Sequence, residues 1–163
     1  MTLTVLVLLF ITLQRLGELL LARRNTARLQ ERGAIEVAPE HYPLIVGLHT
    51  LWLAGLWVLA LTQSLTPDLL LLAIFVVLQG LRVWVLAILG PRWTTRIIVV
   101  PGEQLVAKGP YRYLSHPNYW VVIGEILVLP LVFGLLWYGI VFSLLNLAVL
   151  WVRIRAENKA LGR

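Results

Sequence analysis

Apolar runs of membrane-spanning length, separated by short basic segments, constrain this chain more than any other feature. A spanning helix needs about 20 mostly apolar residues. The run from Leu3 to Leu21 approaches that, as do Pro43 to Leu61 and Leu69 to Leu89. A last apolar block, Asn118 to about Val152, is too long for one helix and carries Pro130, Gly134 and Gly139 near its middle. It splits into two helices at a tight turn near Phe133–Leu136. The fourth helix is then short, and Pro130 predicts a kink or an incomplete crossing. Composition agrees: of 163 residues, 60% are hydrophobic and only 13% charged, against about 25% charged in soluble domains. The expected architecture is an all-α integral membrane protein of five transmembrane helices, a single domain over residues 1–163.

Loop charge tests the split. Arg23, Arg24, Arg28 and Arg32 follow the first helix; Arg92, Arg96, Lys108 and Arg112 follow the third; Arg153, Arg155, Lys159 and Arg163 end the chain. The two remaining connections, Thr62–Asp68 and Phe133–Leu136, have no Lys or Arg. Five helices put every basic segment on one side, which the positive-inside rule makes cytoplasmic, with the N-terminus outside the cell membrane. No basic residue precedes the first run and no small-residue cleavage site follows it, so it reads as a retained helix rather than a signal peptide. The net charge of +6 suits anionic lipid headgroups better than nucleic acid. Without cysteines, thiolate metal sites and cysteine nucleophiles are excluded. His41, His49 and His116 share no ligand spacing, so no metal site is expected.

Within Gly90–Asn118, Arg96–Val100 and Gln104–Val106 flank Pro101-Gly102, which predicts a short cytoplasmic β-hairpin. The polar, aromatic stretch from Lys108 to Tyr119 follows, with Pro117 pushing His116 toward an extended conformation before the fourth helix. Glu125 lies about two turns into that helix, where a charge is costly unless paired or wet; Asn118 shares its face. It is either a carboxyl bonded to a neighbouring helix or part of a ligand pocket. Arg15 with Glu18, and Gln79 with Arg82, are polar pairs on the first and third helices that either bond to one another or line a cavity. Arg153 and Glu157 share a face of the last helix, as a helix-end pair or as grips for an anion and for a cation or hydroxyls. His41 and His49 read as interfacial anchors, and several of the seven tryptophans as aromatic belts, with Trp120 set apart because it adjoins the His-Pro-Asn-Tyr cluster. Phosphate loops, nucleophile elbows and dinucleotide fingerprints are absent from the sequence.

The stretch Gly109-Pro110-Tyr111-Arg112-Tyr113, then His116-Pro117-Asn118-Tyr119 and Gly124-Glu125, resembles the isoprenylcysteine carboxyl methyltransferase family over roughly Arg92 to Leu161. Arg15, Glu18, Ala22–Asn25 and His41–His49 look like a small bacterial branch, some members of which methylate alkylpyrones made by type III polyketide synthases. The resemblance implies a membrane enzyme whose cytoplasmic-facing loop and helix ends hold S-adenosylmethionine. By motif, the cofactor contacts would be Gln104, Leu105, Val106, Tyr111, His116, Pro117, Asn118, Tyr119 and Glu157. Arg153 would face the substrate, with Arg155 the alternative. Ser115 stands where the family has arginine, leaving a cation missing or supplied by Arg112, and Asn158 stands where a second glutamate is common.

The function implied is methylation of an oxygen on a lipophilic acceptor, an alkylpyrone or other polyketide lipid or a prenylcysteine-like carboxylate. A polyketide synthase supplying it is the expected partner. Arg153 would hold an acidic acceptor in line; a neutral hydroxyl would need a base, His116 or Glu125, so Arg153 and Glu125 are the catalytic candidates. The competing readings are a non-catalytic membrane scaffold or lipid-binding protein, and a transporter using Glu125 and Arg82. The last would call for inverted repeats, which the sequence does not show.

Overall fold

The computed structural model describes residues 2–162. Helix α1 spans Thr2–Glu31, α2 Tyr42–Thr62, α3 Leu69–Leu89, α4 Pro117–Val132 and α5 Leu136–Ala160, with two-residue strands β1 (Ile35–Glu36) and β2 (Ile98–Val99) in the loops. Four of the helices are long and apolar enough to cross a membrane; α4 is the exception. At 16 residues it reaches about 24 Å at 1.5 Å per residue, short of the roughly 30 Å hydrocarbon core. The expectation of five spans is thus narrowed to four helices of crossing length and a shorter fifth.

Local chemistry explains the ends. Helix α1 continues well past Leu21, where the apolar run stops, because Ala22, Asn25 and Leu29 carry its buried stripe onward. It ends on Gly33 at φ 82, with Ala34 N–H bonding the Leu29 carbonyl at 3.0 Å and Gly33 N–H the Gln30 carbonyl at 2.9 Å, a glycine-dependent terminus that satisfies the last carbonyls. Asp68 caps α3 by accepting from Leu71 N–H at 3.0 Å. Helix α4 ends just after Pro130, and Gly134 at φ 73 turns the chain into α5. The Asp68 N–H takes the Val132 carbonyl at 2.8 Å, tying the α4–α5 turn to the start of α3.

The hairpin expected around Pro101-Gly102 does not form. The strand Ile98–Val99 pairs instead with Ile35–Glu36, antiparallel, with Ile35 opposite Val99 and Glu36 opposite Ile98. Two forces draw Gln104–Val106 elsewhere. Arg92 donates to the Gln104 carbonyl at 2.7 Å, and the neighbouring Glu103 carboxylate is held by Arg32 and by Arg92. Meanwhile Val37 N–H bonds the Ile97 carbonyl at 2.9 Å, and Arg96 pairs with Glu36 at 2.7 Å, so the end of α1 supplies the partner strand.

The helices are apolar outside and polar within, as a bilayer demands. Leu13, Leu20, Leu61 and Leu70 face outward, while Glu18, Asn25, Gln79, Arg82, Glu125, Asn146 and Arg153 are buried. Toward the Thr62–Asp68 end, Leu8, Ile11, Trp52, Leu56, Phe75, Ile126 and Leu129 form the apolar core. Across the middle lies an ionic layer. Arg82 grips Glu18 with two bonds of 2.5 Å and reaches Glu125 at 2.8 Å. Arg15 bonds Glu18 at 3.1 Å and Glu125 at 2.6 Å. Gln79 donates to the other Glu125 oxygen at 2.8 Å, and Gln14 to Glu18 at 3.2 Å. The two cations and two anions cancel. The pairing anticipated between the first and third helices is present, and Glu125 adds the fourth.

Two predictions follow from this packing. Gly139 lets α5 approach α4: a Cβ there would lie 3.2 Å from the Leu127 carbonyl oxygen and 3.4 Å from Pro130 Cβ. Gly139→Val should therefore destabilise the protein by about 1–3 kcal/mol through overpacking, read as a lowered thermal midpoint in detergent. Arg82→Ala leaves two buried carboxylates with Arg15 as their one cation and should cost about 3–5 kcal/mol; replacing Glu18 as well, by Gln, should recover part of that loss in the same measurement.

Candidate active site

The site is assembled where the loop between α3 and α4 meets the last turns of α5. Pro117 fixes the first turn of α4 and is buried, so His116, Asn118 and Tyr119 are presented around a rigid start. The Tyr119 hydroxyl donates to a Glu157 carboxylate oxygen and accepts from Arg153 Nε at 2.7 Å. Arg153 Nη2 donates to the Thr95 carbonyl at 2.8 Å. The His116 ring stacks on Tyr119 with centroids 5.2 Å apart; its Nε2 lies 2.9 Å from Asn158 Oδ1 and its Nδ1 3.7 Å from Glu157. Arg153 and Glu157, neighbours on one helix face, are thus joined through Tyr119 rather than to each other.

These groups line a cavity of about 360 Å³ on the loop side. Gln104, Leu105, Val106, Tyr111, His116, Asn118, Tyr119, Arg153 and Glu157 all reach its wall. Pro117 does not line it, and supports the wall from behind. Arg112 lies exposed over the Tyr113 ring and does not line the cavity; the cations at the wall besides Arg153 are Arg92 and Arg96. Arg155 points away, its guanidinium 3.5 Å from the Trp151 ring centroid, so Arg153 is the arginine at the cavity.

A second, mostly apolar cavity of about 430 Å³ runs between α1 and α2, with Arg15, Glu18 and Arg82 of the ionic layer on its wall. The two cavities share Trp93, Thr94, Asn118, Tyr119 and Arg153. At that common wall Asn118 Oδ1 and Trp93 Nε1 are buried with no hydrogen-bond partner among the described residues. Unpaired buried polar atoms are rare and call for a ligand or water. Glu125 sits apart from both walls, its two oxygens taken by Gln79, Arg15 and Arg82.

Sequence reasoning missed three parts of this site. Thr95 acts through its backbone carbonyl, which carries no sequence signal. Trp93 has no individual signal among the seven tryptophans. Asn158 was visible only as a departure from a double glutamate, and it proves to hold His116.

Comparison with known proteins gives the site a context. The chain is 43% identical over 151 residues to the uncharacterized protein YpbQ of Bacillus subtilis (strain 168), covering 91% of this chain and 90% of that one. It is 26% identical over 152 residues to an uncharacterized protein of Haemophilus influenzae, covering 91% and 88% respectively. No solved structure matches. The model of the isoprenylcysteine carboxyl methyltransferase (ICMT) family matches residues 70–163, a span that holds α3, the loop cavity wall and both helices that carry His116, Tyr119, Arg153 and Glu157. Methyltransferases of that family in general use S-adenosylmethionine. With more than half its length matched, this integral membrane chain belongs to the isoprenylcysteine carboxyl methyltransferase family, and a membrane methyltransferase is its functional class.

Proposed function

We propose that the protein is an S-adenosylmethionine-dependent O-methyltransferase that modifies a lipophilic acceptor at the cytoplasmic face of the cell membrane. The observation that carries the reading is the shared wall: a polar cavity on the loop side and an apolar one between helices meet at Asn118, Tyr119 and Arg153. A polar donor from water and a lipid from the bilayer need such a junction. The basic ends of α1 and α5 and the basic segment that follows α3 lie on the loop side, which supports a cytoplasmic placement.

The loop-side residues fit S-adenosylmethionine. Glu157 offers a carboxylate, Tyr111 offers an aromatic ring suited to a cation, and Asn118 Oδ1 is an acceptor in want of a donor. Leu105 and Val106, free of backbone–backbone bonds among the described residues, can offer main-chain groups to an adenine edge. When bound, the cofactor supplies an electrophilic methyl group on a sulfonium.

The chain's own residues do the rest. Arg153 spends Nε on Tyr119 and Nη2 on Thr95, which fixes the plane of the guanidinium. Its Nη1 has no protein partner among the described residues and is the donor left for an acceptor oxygen. An acceptor that is already anionic, the enolate of an alkylpyrone or other polyketide lipid, or a prenylcysteine-like carboxylate, needs orientation and no base. His116 and Glu157 belong to the donor side. Glu125, closed inside the ionic layer, serves as a positioning residue in this mechanism. A polyketide synthase is the corresponding supplier of acceptor.

Titration calorimetry in detergent tests the cofactor half. S-adenosylmethionine should bind the intact protein, His116→Ala or Tyr119→Ala should abolish the signal, and Glu157→Gln should weaken it by roughly 10–100-fold, the scale of one charge-assisted bond. Absence of binding to the intact protein would leave a scaffold or lipid-binding role. Incubating membranes with methyl-labelled cofactor and extracting the lipid tests the acceptor half.

Burial pushes the Tyr111 phenol up from its ordinary 10.0, and the nearby Glu157 carboxylate adds to the rise. Tyr111 therefore stays a donor through the working range. Because the folded value exceeds the unfolded one, this contribution to stability is complete below pH 10 and is lost as pH climbs above it. Stability measured by denaturation should fall more steeply above pH 10 for the wild type than for Tyr111→Phe.

A further inference from the structure

The apolar cavity has one polar feature that nothing above uses. Helix α2 lines it with Tyr42, Ile45, His49, Leu53 and Trp57, positions three or four apart that form one face. His49 Nδ1 lies 2.8 Å from the Ile45 carbonyl oxygen. A carbonyl can only accept, so Nδ1 carries the proton, and in the neutral ring Nε2 is then an acceptor. Nε2 has no partner among the described residues, and the ring is only partly buried, opening onto the cavity. An acceptor without a partner, on a wall where Arg15 and Arg82 are engaged with Glu18 and Glu125, is unfavourable unless a donor reaches it.

Its depth is fixed by the helix. The Tyr42 hydroxyl lies 3.1 Å from Thr95 Oγ1, and the Thr95 carbonyl holds Arg153, so Tyr42 marks the level of the proposed transfer point. His49 is seven residues further along α2, about 10 Å deeper at 1.5 Å per residue. The cavity continues past it to Trp57 and Thr12, which close it with a 3.0 Å hydrogen bond.

We propose that His49 is a specificity residue: its Nε2 accepts a hydrogen bond from a hydroxyl or amide N–H carried part-way along the acceptor's chain, within about 10 Å of the oxygen that is methylated. This rests on the reading that the apolar cavity holds the acceptor. Beside the already paired groups of the ionic layer on the same wall, the bare imidazole nitrogen favours a chain that brings the matching donor over one that leaves it unpaired, by the modest margin of one neutral hydrogen bond. The acceptor class is accordingly a single-chain lipid with an acidic head and a polar group part-way along the chain.

The probes are octadecanoic acid and its mid-chain hydroxylated analogue, each with a carboxylate for Arg153. Protein labelled with 15N-histidine in detergent has three imidazoles to resolve, and the His49 signals are identified by their loss in His49→Asn. The free protein should show Nδ1 protonated and Nε2 bare. The hydroxylated acid should shift Nε2 toward a hydrogen-bonded position and bind about two- to tenfold more tightly than the plain acid, the scale of one neutral bond. His49→Asn, which keeps a donor for Ile45 but nothing in place of Nε2, should erase that preference. His49→Gln, whose amide reaches further, should retain part of it. If both acids bind equally and Nε2 does not move, or if Nε2 carries the proton, His49 has no such role while the cavity reading stands. If neither acid binds, the cavity does not hold the acceptor and both readings fall.

Discussion

The charge-balanced layer of Arg15, Glu18, Arg82 and Glu125 is the constraint to which the rest of the molecule conforms. Inside a bilayer each of these groups alone would be costly, and together they bond with every partner 2.5–3.1 Å away. Because the four come from α1, α3 and α4, the layer sets the relative height of three helices. Helix α4 then places Asn118 seven residues before Glu125, on the same face. The depth of the common wall between the cavities is thereby fixed by an interaction about 10 Å away, which is how a buried carboxylate can matter to a site it does not touch.

At that wall a single hydroxyl performs two tasks. Tyr119 donates to Glu157 and accepts from Arg153, so it keeps a carboxylate on one side and a guanidinium on the other from collapsing into a direct pair. The result is a local separation of charge along α5: the anionic end faces the loop-side cavity, while Arg153 lines both. A cationic donor and an anionic acceptor would be drawn to opposite ends of such an arrangement, with their reacting atoms between them. His116 stacked on the tyrosine and held by Asn158 restricts the ring further.

Much of this was legible in the sequence, for identifiable reasons. Helix α3 was read with its observed bounds, Leu69–Leu89, because Asp68 and Gly90 punctuate an unbroken apolar run. The α4–α5 break was marked by Pro130 and Gly134. Hydropathy under-read α1, since residues 22–31 are polar and stay helical through tertiary burial of Ala22, Asn25 and Leu29. The hairpin failed because a Pro-Gly turn fixes a local bend but not a partner; the partner was chosen by ion pairs to Glu36 and Glu103 that link segments about 60–70 residues apart. The motif residues converge, whereas Thr95, Trp93 and the Nε2 of His49 could not be seen, because a backbone carbonyl, an unpaired indole and a tautomer are properties of surroundings rather than of residue type.

The short fourth helix gives the site its depth. The Val132 end of α4 is tied to the start of α3 by the Asp68–Val132 bond, at the end of the molecule that carries no Lys or Arg. From there its 16 residues extend about 24 Å, so Pro117 stops several ångströms short of where a full crossing of about 30 Å would end. His116, Asn118 and Tyr119 consequently stand at the start of a helix shorter than its neighbours, beside the Gly109–Arg112 turn and the loop around Gln104. In the proposed reaction, that truncation would let the head of a lipid reach Arg153 with its chain still among the helices, and would leave the polar donor to cover the remaining distance.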